Sequence, residues 1–210
     1  MKILFYNHTG QVSGAERVLM MILEGLDRSR FDPVLLCPAD GRLASMARGA
    51  GVTVVAIEQL TARFTLRPGQ IIRYLGSFVR TIREARAEVV RQAPAVIHAN
   101  SIRSGLVMSA ATAGLKVPVV WHAHDLLPPH LLSTAIRLFA LLSGRNRVVA
   151  VSQAVADRFR GHLLRFFPRR VPVTTIYNAV DLERFQPNNE SREETQCQTQ
   201  SYIASTRRRP

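Results

Sequence analysis

Short apolar runs rich in Val, Ile and Leu recur along the chain at residues 2–6 (KILFY), 33–37 (PVLLC), 52–57 (VTVVAI), 95–99 (AVIHA), 117–122 (VPVVWH), 147–152 (RVVAVS) and 171–177 (VPVTTIY). They read as strands. Between them lie longer stretches with helical patterning, at 14–26, 42–49, 69–92, 103–113, 131–143 and 153–164. Strands this apolar, separated by helices, imply a parallel sheet buried on both faces. The pattern therefore predicts an α/β domain built on a doubly wound parallel sheet. The helix over 70–91 has the clearest period: Ile71, Leu75, Phe78, Ile82 and Val89 make one stripe, while Arg73, Arg80, Glu84 and Arg91 lie away from it. The stripe is expected to face the core and the arginines to be solvated, or to meet a membrane or an acidic partner.

After Pro187 the composition changes abruptly to a polar segment with almost no aliphatic residues, so residues 188–210 are expected to form a disordered, dispensable tail. The 210 residues otherwise suit one buried domain, at 1–187. Hydrophobic residues at 47% and charged residues at 20% are globular values and predict a packed core.

The formal net charge of +13 comes from arginines spread along the chain, with lysine only at Lys2 and Lys116. Such a body attracts phosphates and anionic lipid, but the spread argues against a dedicated, specific nucleic-acid site. Weak, salt-sensitive attraction to anionic lipid is expected through Arg73, Arg80 and residues 165–170. Cys37 and Cys197 have no paired spacing, so neither a disulfide framework nor a zinc site is expected. The apolar start is too short for a signal peptide, and the run from Leu131 to Leu142, broken by Arg137, is too short to span a bilayer. The expectation is a cytoplasmic protein, peripheral to the inner face of the membrane.

Four places could carry chemistry. In the loop His8–Glu16, Ser13 followed by Glu16 is a capping-box pattern that starts a helix near Gly14. Glycines there would let a phosphate or sugar oxygen approach the backbone at a favourable helix terminus. The alternative is a tight turn that needs glycine for its dihedrals. GxGxxG and the P-loop pattern are both missing, which disfavours a nicotinamide dehydrogenase. Second, Trp121-His122-Ala123-His124-Asp125 follows a strand directly, and open α/β sheets bind ligands at the carboxyl ends of their strands. His122 is there a candidate for catalysis or substrate binding, with a structural histidine as the other reading. HxHD with no further His or Cys cluster disfavours a metal. Third, His98-Ala99-Asn100-Ser101 also ends a strand. Fourth, Ser152 reads as a helix N-cap rather than a nucleophile, because no GxSxG surrounds it. The E-x7-E spacing of Glu16 and Glu24 lies within one helix and is read as chance.

The segments SGAERVL (13–19), VIHANS (96–101), VVWHAHDLLP (119–128), AVSQAVADRF (150–159) and TTIYNAVDLERF (174–185) occur in an order that resembles the N-terminal domains of family 4 GT-B glycosyltransferases. The resemblance covers about residues 1–187. It implies a Rossmann-like, acceptor-side half of a GT-B fold. It implies substrate-binding roles for Gly10, Gly14, Ala15, Asn100, His124 and Asp125, and a catalytic contact from His122 to the donor sugar. The implied activity is retaining transfer of a sugar from a nucleotide-sugar to a sugar or lipid-linked acceptor hydroxyl, in cell-envelope polysaccharide or glycolipid synthesis. No metal or other cofactor is expected. Ala179 stands where the family hinge usually has glycine in NGVD. The family's nucleotide-binding C-terminal domain, with its phosphate-binding pair and E-x7-E motif, has no counterpart in the sequence. The chain alone is therefore expected to be inactive, and a non-catalytic acceptor- or partner-binding module, or a truncated product, is the alternative.

Overall fold

The computed structural model describes residues 1–60, 68–129, 131–142, 145–161 and 172–180. Strands and helices alternate: β1 Lys2–Tyr6, α1 Gly14–Gly25, β2 Asp32–Cys37, α2 Arg42–Gly49, β3 Thr53–Ala56, α3 Pro68–Gln92, β4 Val96–Ala99, α4 Ile102–Ala111, β5 Val119–Ala123, α5 Leu131–Leu142, β6 Asn146–Ala150, α6 Gln153–Arg160 and β7 Val173–Thr175. The strands form one sheet in the order β3-β2-β1-β4-β5-β6-β7, and every neighbouring pair is parallel. Winding runs outward in both directions from β1 and β4. The sheet is the doubly wound one that the alternating pattern predicts.

Period-2 alternation along the central strands gives the sheet two faces, and each face has its own core. On one side Phe5, Leu35 and Cys37 pack with Leu19, Met20 and Leu23 of α1 and Leu43, Ala44 and Ala47 of α2. On the other, Leu4, Tyr6, Ile97, Trp121 and Val148 pack with residues of α3, α4, α5 and α6. Trp121, wholly buried, lies against the backbone of α4, where a Cβ on Gly105 would fall 2.2 Å from its Cδ2. Its indole N–H donates to Ser109 Oγ at 2.9 Å, so the ring is fixed at both ends.

The α3 stripe differs from the sequence expectation at one residue. Thr81, Ala85 and Val89 are buried and Tyr74, Phe78 and Ile82 half-buried, but Leu75 is 55% exposed. At 100° per residue, Leu75 lies about 60° from Phe78, outside the arc that faces the sheet. Arg80 on the outer face pairs with Glu58 at 3.3 Å. The positions of Ile71 and Arg73 side chains, residues 165–170, the domain limit expected at 187 and the tail at 188–210 lie outside the described residues. The chain divides into two compact units, Met1–Asn178 and Ala179–Pro210, and the first holds the whole sheet. Among the described residues, no helix is long and apolar enough to cross a membrane.

Candidate functional site

Register aligns the carboxyl ends of the central strands: Tyr6 is level with Ala99, and Ala99 with Trp121. The next residues of each strand must leave the sheet, and their polar side chains meet at its edge. There an open groove of about 490 Å³ is lined by His8, Gly14, Ala15, Glu16, Asn100, His124 and Asp125, with Ser101, Val151 and Asn178 among its other walls.

Asn100 organises this groove. It is completely buried, and its side-chain amide donates to Asn7 Oδ1 at 3.0 Å and to the Ala15 carbonyl at 3.3 Å. Its Oδ1 is thereby left to accept, and it lies 3.2 Å from His124 Nε2. His124 accordingly carries its proton on Nε2, which leaves Nδ1 as an acceptor. Burial lowers the pKa of His124, with Asp125 and Glu16 pulling the other way, so the ring is neutral near pH 7.

The α1 terminus is built as the capping-box pattern predicts. Glu16 Oε2 accepts from the Ser13 backbone N–H at 2.9 Å and from Ser13 Oγ at 2.5 Å, and Oε1 accepts from Asn7 at 3.2 Å. Burial works to raise the Glu16 pKa, but these bonds from Ser13 and Asn7 outweigh it and the pKa is lowered. A carboxylate thus already sits at the positive end of α1. Among the described residues that line the groove there are two carboxylates, with Asp125 the second, together with neutral histidines and amides, and no Lys or Arg. Such a surface suits the hydroxyls of a sugar better than a diphosphate.

The candidate residues divide between two places. Gly14, Ala15, Asn100, His124 and Asp125 meet in the groove. Gly10 does not: it lines a separate hollow with Gly41, Arg42 and Glu58, and a Cβ on it would fall 2.8 Å from Gly41 Cα. Its carbonyl accepts from the Leu43 N–H at 3.1 Å, so Gly10 serves the packing of the β1–α1 loop against α2. Neither Gly10 nor Gly14 has positive φ, so a turn dihedral explains neither glycine. Gly14 has open space where a Cβ would point.

His122 also stands apart from the groove lining. It is 4% exposed and packs under His124, ring centroids 4.1 Å apart, while its Nδ1 lies 3.2 Å from His98 Nε2. Burial and the two neighbouring histidines push its pKa down to about 3, and burial, then His124, pushes that of His98 to about 4. Ser101 and Ser152 are N-caps, accepting from Ser104 N at 3.0 Å and Val155 N at 3.2 Å. His8, whose Nδ1 lies 3.2 Å from Ser101 Oγ, adds a further ring to the groove. Asn7 was without a signal beyond its place after an apolar strand. Among the described residues there is no cluster of three His, Cys, Asp or Glu side chains that could hold a metal ion.

The sequence profile of Glycosyltransferase Family 4 matches residues 12–184. The chain belongs to Glycosyltransferase Family 4. Comparison with curated protein sequences finds no match. Among solved structures, the family 4 chain is similar to HepE of Anabaena, crystallised with UDP-glucose, at 24% identity and a TM-score of 0.63, covering 94% of this chain and 50% of HepE. It is also similar to a glycosyltransferase of Rickettsia africae ESF-5, at 14% identity and a TM-score of 0.62, over 95% and 49% of the two chains. The lipopolysaccharide outer core galactosyltransferase WaaB matches at 15% identity and a TM-score of 0.58, over 87% and 47%. These likenesses establish the fold, a Rossmann-like half of GT-B architecture. The chain spans about half the length of the solved structures it matches.

Proposed function

We propose that residues 1–178 form the acceptor-side wall of a cleft in which a sugar passes from a nucleotide-sugar to a hydroxyl of a sugar or lipid-linked acceptor. The observation that carries the reading is the groove of Gly14, Ala15, Asn100, His124 and Asp125 at the carboxyl edge of the sheet, in a family 4 chain. Its carboxylates, amides and neutral imidazoles are hydroxyl-recognising groups. The cation needed to hold the nucleotide diphosphate is left to a second wall, supplied by a partner domain.

In the proposed reaction the acceptor hydroxyl attacks the sugar's anomeric carbon from the face that the diphosphate leaves. The bond to the diphosphate breaks, the new glycosidic bond forms with retention, and the acceptor proton passes to the departing diphosphate. His124 Nδ1 accepts a hydrogen bond from a sugar hydroxyl, and His122 positions that ring from below instead of touching the substrate. These are orienting and electrostatic contributions, and they need both walls of the cleft.

Amide chemical shifts of the full chain, titrated with a panel of monosaccharides and nucleotide-sugars, test the reading. Saturable shifts at Gly14, Ala15, His124 and Asp125, with Gly10 and Gly41 still, support it. Shifts confined to the hollow beside Gly41 would overturn it.

A further inference from the structure

The hollow beside Gly10 opens on the same edge of the sheet as the groove. Tyr6 of β1 is level with Leu36 of β2, and β2 and β3 end level with each other at Cys37 and Ala56. The groove takes its walls chiefly from the segments that follow β1, β4 and β5, whereas the hollow takes its walls from those that follow β1, β2 and β3. Their centres are thus two strand spacings apart, about 10 Å.

One loop is common to both. Thr9 lines the groove and Gln11 the hollow, and between them Gly10 packs backbone to backbone on Gly41, where a Cβ on Gly41 would fall 2.3 Å from Gly10 Cα. The same loop is held from either side, because the Leu43 N–H donates to the Gly10 carbonyl at 3.1 Å and the Leu60 N–H to the His8 carbonyl at 3.3 Å. The shared wall is therefore preformed, and a ligand lying across it does not have to order it.

The hollow has a volume of about 620 Å³. Pro38 and Ala56 give it apolar surface, and Gln11, Asp40, Arg42 and Gln59 give it exposed polar side chains. Among the described residues, none of these four side chains is engaged in a hydrogen bond or an ion pair. Amide, carboxylate and guanidinium groups each present two or more polar atoms in a plane, which matches neighbouring hydroxyls on a sugar ring. A nucleotide diphosphate fits less well, since the described lining sets two carboxylates, Asp40 and Glu58, against Arg42 alone.

We propose that this hollow is a second sugar subsite, which holds the next residue of an oligosaccharide acceptor whose terminal sugar lies in the groove. It rests on the reading of the groove as the acceptor wall and adds the substrate class: a disaccharide or a longer glycan, free or lipid-linked, rather than a single sugar. Asp40 and Arg42 read the second sugar, and the two-strand spacing is one that a disaccharide bridges.

Amide shifts and affinities of the full chain test it, with glucose, galactose, mannose and N-acetylglucosamine compared with a panel of disaccharides built from them, and with UDP as a separate arm. The preferred disaccharide should move the amides of His124 and Asp125 together with those of Gln11, Asp40 and Gln59 in one saturable titration. Its component monosaccharides should move the groove amides alone and bind at least about tenfold more weakly. An Asp40→Ala, Arg42→Ala variant should lose about that tenfold for the disaccharide, keep the monosaccharide affinity and melt as the wild type does, because both side chains are exposed. Groove shifts with every sugar while Gln11, Asp40 and Gln59 stay still would overturn the second subsite and leave the groove reading standing. Wild-type disaccharide affinity in the double variant would overturn it as well, and so would UDP shifting the hollow amides when no disaccharide does. Absence of groove shifts with every sugar would remove the groove reading and the subsite with it.

Discussion

His122 and His124 pack with ring centroids 4.1 Å apart and planes tilted by 46°, the first 4% exposed and the second on the wall of the groove. They leave β5 on one face, two residues apart, so the deeper ring supports the shallower one. His98, bonded to His122 and packed 5.1 Å from Phe5 between ring centroids, continues the column into the sheet. The groove therefore rests on a cluster of neutral imidazoles, tilted or edge-on to one another.

That cluster makes stability depend on pH. His98 and His122, with native pKa values near 4 and 3, stay neutral in the folded chain below the ordinary histidine value of 6.5. Between pH 6.5 and 4 the unfolded chain binds protons at these positions that the native chain does not, so stability should fall as the pH drops through that window. The slope is up to about 1.4 kcal/mol per pH unit for each histidine. Urea unfolding at pH 7, 6 and 5 checks this, and His122→Gln should flatten the profile. A flat wild-type profile would contradict the buried, neutral cluster.

Two glycines should respond oppositely to alanine. A Cβ on Gly105 would meet Trp121 Cδ2 at 2.2 Å, so Gly105→Ala should cost at least about 1–3 kcal/mol and shift the emission of the single tryptophan. Gly14 has nothing within 4 Å of that position, and Gly14→Ala should change stability by less than about 0.5 kcal/mol. Thermal melts of the two variants give the comparison.

Arg137 should prove to be a cap for α6. Arg137→Met leaves the carbonyls of Arg158 and Phe159 without their donor and should cost about 1–3 kcal/mol. Amide exchange in Gln153–Arg160 should accelerate before exchange in the central strands. Uniform acceleration would mean that Arg137 supports the whole fold instead.

The strand and helix order was legible because each apolar run is bounded on both sides by helical patterning, and a parallel sheet demands that alternation. Leu75 was misplaced because four positions of its stripe fit a helical period whose centre only the packing of Thr81, Ala85 and Val89 reveals. The HxHD segment lies at the strand end where the groove opens, but alternation could not separate His122 from His124, since both lie on one face; where the sheet stops puts His124 in the groove lining and His122 beneath it. Gly10 was drawn to the groove by its loop, yet its partner Gly41 is distant in sequence and no local pattern announces a backbone contact of that kind. Asn7 and Asn100 show the same limit: a lone amide after a strand says little until its partners are known. Arg137 looked like an interruption in a lipophilic run and is the buried residue that turns that run outward.

The most direct test of the central claim is a transfer assay with three proteins: the chain alone, the chain joined after Phe185 to a family 4 donor domain, and that fusion carrying His124→Ala. Across a panel of nucleotide-sugars and acceptors, the account predicts no turnover by the chain alone and clear turnover by the fusion. It predicts a kcat/KM about 100-fold lower or worse for the His124→Ala fusion, from loss of a positioned hydrogen bond in the cleft. Turnover by the chain alone at the rate of the fusion, or full activity of the His124→Ala fusion, would contradict it.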